Sequence, residues 1–336
     1  MKRRILLGLL ILFLAIAAII GWLFLGPTIR SPKDKYLYLA TGSDYNAVLT
    51  QLKEQEVLGS VTWFNLAAKM IGYNNVRPGR YPVKKGMSVV GLVRMLRNGQ
   101  QEPVDFVVTK IRTKEVLAGR LGRAFEFDSA AMLHFMNSPD SLREYGLDSN
   151  TVMAAVLPFT YTSKWNTTPG RIFGQFFNSY KSFWTEERRQ KAASLGYSPL
   201  QITTIASIIE EETNAPSDKP NVASVYMNRI AKGMPLQADP TVKFALKDFS
   251  LRRIYEKHTR IESPWNTYVN RGLPPGPICT PSLATINAVL DAPKTDYIYF
   301  VASSAFDGTH VFTTNYNDHL KYARIYQQEL NKRNIK

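Results

Sequence analysis

From Ile5 to Leu25 the chain carries no charged residue, and nearly every position is apolar. A helix of about twenty apolar residues crosses a hydrocarbon core of about 30 Å. Lys2, Arg3 and Arg4 precede the run. The positive-inside rule then places the N-terminus in the cytoplasm and everything after Arg30 outside, with Trp22 at the outer interface. A cleaved signal peptide would show a shorter apolar core followed by a small-residue cleavage site. Here Ala15-Ile16-Ala17 lies inside the run, and no cysteine follows closely for lipid attachment. The pattern therefore predicts an uncleaved anchor over residues 1–30, with Ile5–Leu25 in the bilayer. No second segment of this kind follows, which argues against a transporter.

Beyond the anchor the period changes. Residues 31–43 read as a linker leading into a short strand, Tyr36 to Leu39. Ser43-Asp44 suits the cap of a helix carrying Val48, Leu49 and Leu52. A second helical stretch covers Val61 to Met70. Arg77-Pro78-Gly79-Arg80-Tyr81-Pro82-Val83 reads as a turn into a strand. Gly86-Met87-Ser88 starts a helix with Val89, Val90, Leu92, Val93 and Leu96 at helical spacing, and Val104 to Val108 reads as a strand. These elements predict a small α+β module over residues 31–105. Residues 106–336 form a larger second domain. Within it, Thr113 to Tyr161 is mostly amphipathic helix ending in a loop at Pro158-Phe159-Thr160-Tyr161. Helix resumes over Arg171 to Trp184, and Glu186 to Lys191 is a solvated charged face. The predicted fold class is α+β.

Composition narrows the partners. The 336 residues are 45% hydrophobic and carry a formal net charge of +15. That basicity favours acidic headgroups or an acidic polymer. No RNP, zinc-finger or bZIP pattern supports nucleic acid. Cys279 is the single cysteine, so the fold rests on its core rather than on a disulfide. His134, His258, His310 and His319 form neither an HxH nor an HExxH pair. No metal site and no cofactor are expected.

The chemistry concentrates in one helix. Ser198 suits its N-cap, Pro199 its N1 position, and Gln201 completes a capping box. At about 100° per residue, Ile205, Ile208 and Ile209 define one apolar stripe. Glu212 lies four residues after Ile208 and three after Ile209, so it falls inside the stripe, whereas Glu210 and Glu211 point to its flanks. Burying an isolated charge is costly, so a carboxyl on that face is paired, neutral or functional. Desolvation raises a carboxyl pKa, which yields a proton donor near neutral pH. Glycosidic bond cleavage requires such a general acid. The alternative is that Glu212 simply emerges to solvent at the helix end.

At these residues the chain resembles the endolytic murein transglycosylases of the YceG/MltG family. The motif is Ala206-Ser207-Ile208-Ile209-Glu210-Glu211-Glu212-Thr213. It is followed by Val222-Ala223-Ser224-Val225-Tyr226-Met227-Asn228-Arg229 and by Gly233-Met234-Pro235-Leu236-Gln237-Ala238-Asp239-Pro240-Thr241-Val242. Trp265-Asn266-Thr267-Tyr268, Gly272-Leu273-Pro274-Pro275-Gly276-Pro277-Ile278, Tyr297 to Ala302 and His310-Val311-Phe312 complete the series. Several motifs in one order are far more specific than any single one, and together they cover nearly the whole chain.

The resemblance implies a LysM-like small module, signalled by Gly79-Arg80-Tyr81 and the helix after Met87. It also implies a lysozyme-like catalytic domain with an adjoining sheet. Glu212 is the implied catalytic residue and Glu210 a supporting acid. Gln237, Asp239, Thr241, Asn266 and Tyr268 are polar groups in motif loops, expected to contact sugar hydroxyls or N-acetyl groups. Two positions depart from the family pattern. Pro158-Phe159-Thr160 stands where Pro-Asp-Thr is frequent, and Ser282 follows Thr280-Pro281 where glycine is common.

The implied reaction is non-hydrolytic cleavage between N-acetylmuramic acid and N-acetylglucosamine, giving 1,6-anhydro ends. The implied location is the bacterial cytoplasmic membrane, with the catalytic domain outside, cutting nascent strands beside peptidoglycan synthases. Two other readings stay open. One is a hydrolytic muramidase, with Glu210, Asp239 or Glu262 as second carboxylate. The other is a non-catalytic peptidoglycan-binding scaffold.

Overall fold

The structure is a computed structural model that describes residues 2–333. Met1 and residues 334–336, the outer ends of the first and last expected domains, lie outside the described residues. The chain divides into two compact units. The first runs to Phe106 and takes in Gly122–Phe127 and Thr162–Thr168; the second holds Val107–Leu121, Asp128–Tyr161 and everything from Pro169.

The first unit opens with helix α1 (Lys2–Leu25). Among the described residues it is the one helix long and apolar enough to cross a membrane. From Ile5 to Ile20 its apolar side chains stand exposed, Leu6 and Phe13 at 67% each, while Phe24 near its end packs on the unit's core. A core helix, by contrast, hides at least one stripe. Strand β1 (Tyr36–Leu39), helices α2 (Tyr45–Glu54) and α3 (Val61–Ile71), strand β2 (Gly79–Pro82), helix α4 (Val89–Asn98) and strand β3 (Val104–Val107) follow.

Local chemistry sets these limits. Asp44 accepts from the Ala47 N–H at 2.7 Å to cap α2, and Ser88 caps α4 through Gly91. Gly72 and Gly99 close α3 and α4 at φ 72° and 66°, a left-handed conformation that glycine adopts without Cβ strain. β1 and β2 pair antiparallel, from Tyr36 opposite Pro82 to Leu39 opposite Gly79. Leu37, Leu39, Tyr81, Val48, Leu52, Phe64, Leu92 and Leu96 close one core between this ribbon and the three helices.

The second unit is mainly helical. Helices α5 (Lys114–Ala124), α6 (Ser129–Asn137) and α7 (Pro139–Arg143) precede a 3-10 turn at Val152–Ala155 and strand β4 (Thr160–Ser163). The loop expected at Pro158–Tyr161 is therefore corrected, because its second half is strand and pairs with β3. Its side chains alternate outward and inward, and the inward Tyr161 ring packs edge-on to Phe176 at 4.5 Å. That period of two was hidden behind Pro158 in the sequence. The boundary between the units falls within β3 and β4.

Helices α8 (Pro169–Phe183), α9 (Glu186–Ser194), α10 (Pro199–Glu212), α11 (Lys219–Ala231), α12 (Asp239–Leu246), α13 (Glu256–Thr259) and α14 (Leu283–Leu290) come next. Strands β5 (Tyr299–Ala302) and β6 (His310–Thr313) and helix α15 (Tyr316–Lys332) complete the chain. The expected adjoining sheet is a two-stranded antiparallel hairpin, Tyr299 opposite Thr313 and Ala302 opposite His310. α10 is the hub, packed against α9, α11, α12 and α14.

Candidate active site

α10 begins with the expected capping box, Ser198 and Gln201 each bonding the other's backbone N–H. From Ile202 to Ile209 every residue is buried, polar ones included. The Thr203 and Thr204 hydroxyls donate to the Pro199 and Leu200 carbonyls, both at 2.9 Å, and Ser207 donates to Thr204 O at 2.7 Å. With their donors satisfied inside the helix, these residues enter the core at little penalty. Ser207 Oγ also accepts the Ile278 N–H at 3.0 Å, fixing the loop before α14. Cys279 lies beside it, fully buried, its thiol donating to Ser207 O and its pKa pushed up by burial.

The last three residues of α10 are glutamates with three different fates. Glu210 Oε2 accepts from Lys219 Nζ at 3.0 Å, Ser282 Oγ at 3.0 Å and the Thr285 hydroxyl. Burial pushes its pKa up, but these hydrogen bonds outweigh burial and hold the carboxyl below its ordinary value. Glu211 takes the Arg112 guanidinium on both oxygens, at 3.0 and 2.9 Å, with Lys110 at 3.3 Å. Among the described residues no cation forms an ion pair with Glu212, and its Oε2 is sealed from solvent without a hydrogen-bond partner. Desolvation, reinforced by the nearby Asp239 charge, pushes its pKa from 4.5 to about 7; a Tyr226 hydroxyl hydrogen bond and the Lys243 and Arg229 charges oppose the shift.

Glu212 faces a cavity of about 310 Å³. Tyr226 and Arg229 of α11 form one wall, Gln237, Asp239 and Tyr268 another, and Phe300 and His319 a third. Arg229 is locked by donating to Ile298 O at 2.7 Å and Leu236 O at 2.8 Å, which ties the β5 approach to the 236–239 loop. Gln237 sits at φ +53°, an uncommon conformation for a residue with a side chain, pinned by its N–H to Thr267 O at 3.0 Å. Asp239 opens α12 and accepts the Tyr268 hydroxyl at 2.6 Å.

The structure thus brings Glu212, Gln237, Asp239 and Tyr268 to one cavity, and leaves three expected residues outside it. Thr241 and Asn266 serve here as internal ties. Both are fully buried. Thr241 Oγ1 bonds Ala238 O and the Thr267 hydroxyl, while the Asn266 amide donates to the Thr259 and Ile261 carbonyls and accepts from the Tyr268 N–H. Glu210 faces Lys219 rather than the cavity. Phe159, at the departed position, packs against the core around α10. Ser282, the other departure, caps α14 and reaches Glu210, a bond that glycine cannot make.

Sequence reasoning missed Tyr226, Arg229, Phe300 and His319 as site residues. Tyr226 and Arg229 carried a readable signal, being polar groups three apart on the same helix face as the apolar Val222, and all three are buried. His319 had none. Its Nδ1 is sealed without a partner and its ring stacks on Tyr299 at 5.2 Å. Burial, with the Arg229 charge behind it, holds the imidazole below its ordinary pKa.

Residues 37–325 match the YceG-like family. A Bacillus subtilis protein named endolytic murein transglycosylase is 30% identical across 94% of this chain and 93% of its own length. A Streptococcus pneumoniae protein of the same name is 27% identical over 86% of this chain, which spans 58% of that longer protein. The crystal structure of a YceG-like protein from Listeria monocytogenes superposes with a TM-score of 0.58 at 26% identity, covering 85% of this chain and 97% of the other. The second unit thus sets a desolvated glutamate at the wall of a polar cavity. The chain belongs to the YceG-like family.

Proposed function

We propose that this chain is an endolytic murein transglycosylase, the activity for which its Bacillus and Streptococcus relatives are named, and that Glu212 is its acid and base. The observation that carries the assignment is the Glu212 carboxyl, held near pKa 7 without a cation partner at the wall of a polar cavity. A carboxyl in that range is a proton donor and, once ionised, a competent acceptor at neutral pH.

The reaction needs no attacking water. Glu212 donates its proton to the oxygen joining N-acetylmuramic acid to N-acetylglucosamine, and the bond to muramic C1 breaks. The carboxylate then takes the proton of the muramic C6 hydroxyl as that oxygen closes on C1. The anhydro ring forms and Glu212 is reprotonated for the next cycle. Tyr226 steadies the carboxylate between the two steps. Gln237, Tyr268 and His319 offer hydrogen bonds to the sugars.

A hydrolytic route needs a second carboxylate in reach of water. Glu210 is bound by Lys219, and Glu262 is exposed and outside the cavity. Asp239 lines the cavity but already accepts the Tyr268 hydroxyl. Mass spectrometry of products from purified sacculi decides between the routes, because the anhydro product is one water lighter. Glu212→Gln is expected to abolish it, and a product at the hydrated mass would refute the lyase reading.

The same reading makes α1 an anchor with the N-terminus in the cytoplasm and the catalytic unit outside. It makes residues 31–105 a LysM-like module and residues 106–336 a lysozyme-like catalytic domain. An enzyme held this close to the bilayer meets strands as they are made, beside the synthases that make them.

A further inference from the structure

The second unit holds another recess, of about 450 Å³, lined by Lys114, Asn137, Ser149, Asn150, Phe244 and Trp265, among others. Two elements link it to the catalytic cavity. α12 gives Asp239 to the cavity and Phe244 and Ala245 to the recess, a separation along the helix of about 9 Å at 1.5 Å per residue. The segment after Pro264 gives Tyr268 to the cavity and Trp265 to the recess. Between them lies a narrow hollow lined by Glu211, Pro240, Lys243 and Arg112. Glu211 and Pro240 are the chain neighbours of Glu212 and Asp239, and Arg112 also lines the recess.

The recess is lined by more cations than carboxylates, with Glu115 as its one acidic residue. Three cations line it. Arg112 is engaged by Glu211 at 2.9 Å and Lys247 by Glu115 at 3.2 Å. Lys114 differs, because its ammonium donates to neutral groups, Asn137 Oδ1 at 2.5 Å and Ser149 O at 3.1 Å. Burial, with the like charge of Lys247, holds it below its ordinary pKa, and the Glu115 and Asp148 charges only partly offset this. A half-buried ammonium bonded to neutral oxygens gains most from an incoming carboxylate. Beside it the Trp265 ring offers an apolar wall.

We propose that the substrate groove runs from the Glu212 cavity across α12 into this recess, and that Lys114 there binds a carboxylate carried on the 3-O side group of a muramic acid residue. This deepens the transglycosylase reading and rests on it. The carboxylate has two sources, a stem peptide or the bare lactyl group left when that peptide is removed.

The test measures binding of solubilised glycan strands to the full chain in detergent, on a Glu212→Gln background that does not turn over. One arm uses strands bearing stem peptides and the other uses strands stripped by an amidase. Lys114→Met is expected to weaken binding about tenfold in one arm, the loss of a hydrogen bond to a charged group. The sensitive arm names the carboxylate. Lys114→Arg should restore most of the affinity. Asn150→Asp, at an exposed position that leaves the fold unstrained, should weaken the same arm by placing a like charge in the recess. Unchanged affinity for both kinds of strand in Lys114→Met and Asn150→Asp would overturn the proposal. Because binding is read without cleavage, failure of the wild type to release anhydro products would count against the transglycosylase reading alone.

Discussion

Replacing Glu212 by glutamine should make the protein more stable above neutral pH, and the structure sets the size of the gain. The folded carboxyl has a pKa of about 7 against 4.5 for the unfolded chain. That is about 2.5 units at about 1.4 kcal/mol each, or about 3 kcal/mol. The sign follows from which state ionises first. Below pH 4.5 the group is protonated in both states and costs nothing. Between pH 4.5 and 7 the unfolded chain ionises while the folded one stays neutral, so stability drains away as pH rises. Above 7 the full penalty is in place. Glutamine has no such penalty, and any change it makes in hydrogen bonding is independent of pH. The other titrating groups are common to both proteins and cancel in the difference. Thermal unfolding of the detergent-solubilised full chain, followed by near-ultraviolet circular dichroism from pH 4 to 8.5, reads this directly. At about 2–4 °C per kcal/mol for a unit of this size, the Tm advantage of Glu212→Gln should grow by about 6–12 °C across the window. Parallel curves would show that the carboxyl is not desolvated, and the acid–base assignment would lose its physical basis.

Three further outcomes follow from the same geometry. In the wild type, kcat/KM should fall above about pH 7; Tyr226→Phe removes a hydrogen bond that lowers the Glu212 pKa, and should move that limb upward. Asp239→Asn removes the charge that raises it, and should move the limb downward; pH–rate profiles in which both variants shift the same way would refute the electrostatic account. Asn266→Ala should cost about 1–3 kcal/mol by leaving the partly buried Thr259 and Ile261 carbonyls unpaired, seen as a lower denaturation midpoint, whereas Gln237→Ala should leave the midpoint nearly unchanged and raise KM for glycan strands.

The elements with strong punctuation were legible in advance. Asp44, Ser88 and the Ser198–Gln201 box each cap a helix where the sequence placed one. The period-two pattern of β4 was not, because a proline and an aromatic pair read locally as a loop and only the partner strand β3 makes the segment extended. Within the site, Gln237, Asp239 and Tyr268 reach the cavity while Thr241 and Asn266 from the same motifs do not. Adjacent polar residues in a loop alternate between facing a ligand and tying the loop to itself, and the sequence does not show which does which. His319 arrives from α15, more than a hundred residues after Glu212, through packing on the hairpin that no local period encodes.

The placement of Glu212 on an apolar stripe is not what singles it out. α10 is buried on every side from Ile202 to Ile209, so the stripe has no exposed counterpart. Glu210, Glu211 and Glu212 all lie at the C-terminal end of the same helix, where the backbone dipole disfavours every carboxylate. Burial presses on Glu210 as well. What separates them is company. Lys219 with two hydroxyls keeps Glu210 ionised, and the Arg112 guanidinium lies against both oxygens of Glu211. Glu212 alone meets a tyrosine hydroxyl and the like charge of Asp239, with Lys243 and Arg229 acting only at a distance. Isolation from counter-charge, rather than position on a wheel, leaves Glu212 with its raised pKa. Removing that counter-charge, as in Lys219→Met, should raise the Glu210 pKa without bringing its carboxyl to the cavity, because Glu210 faces α14.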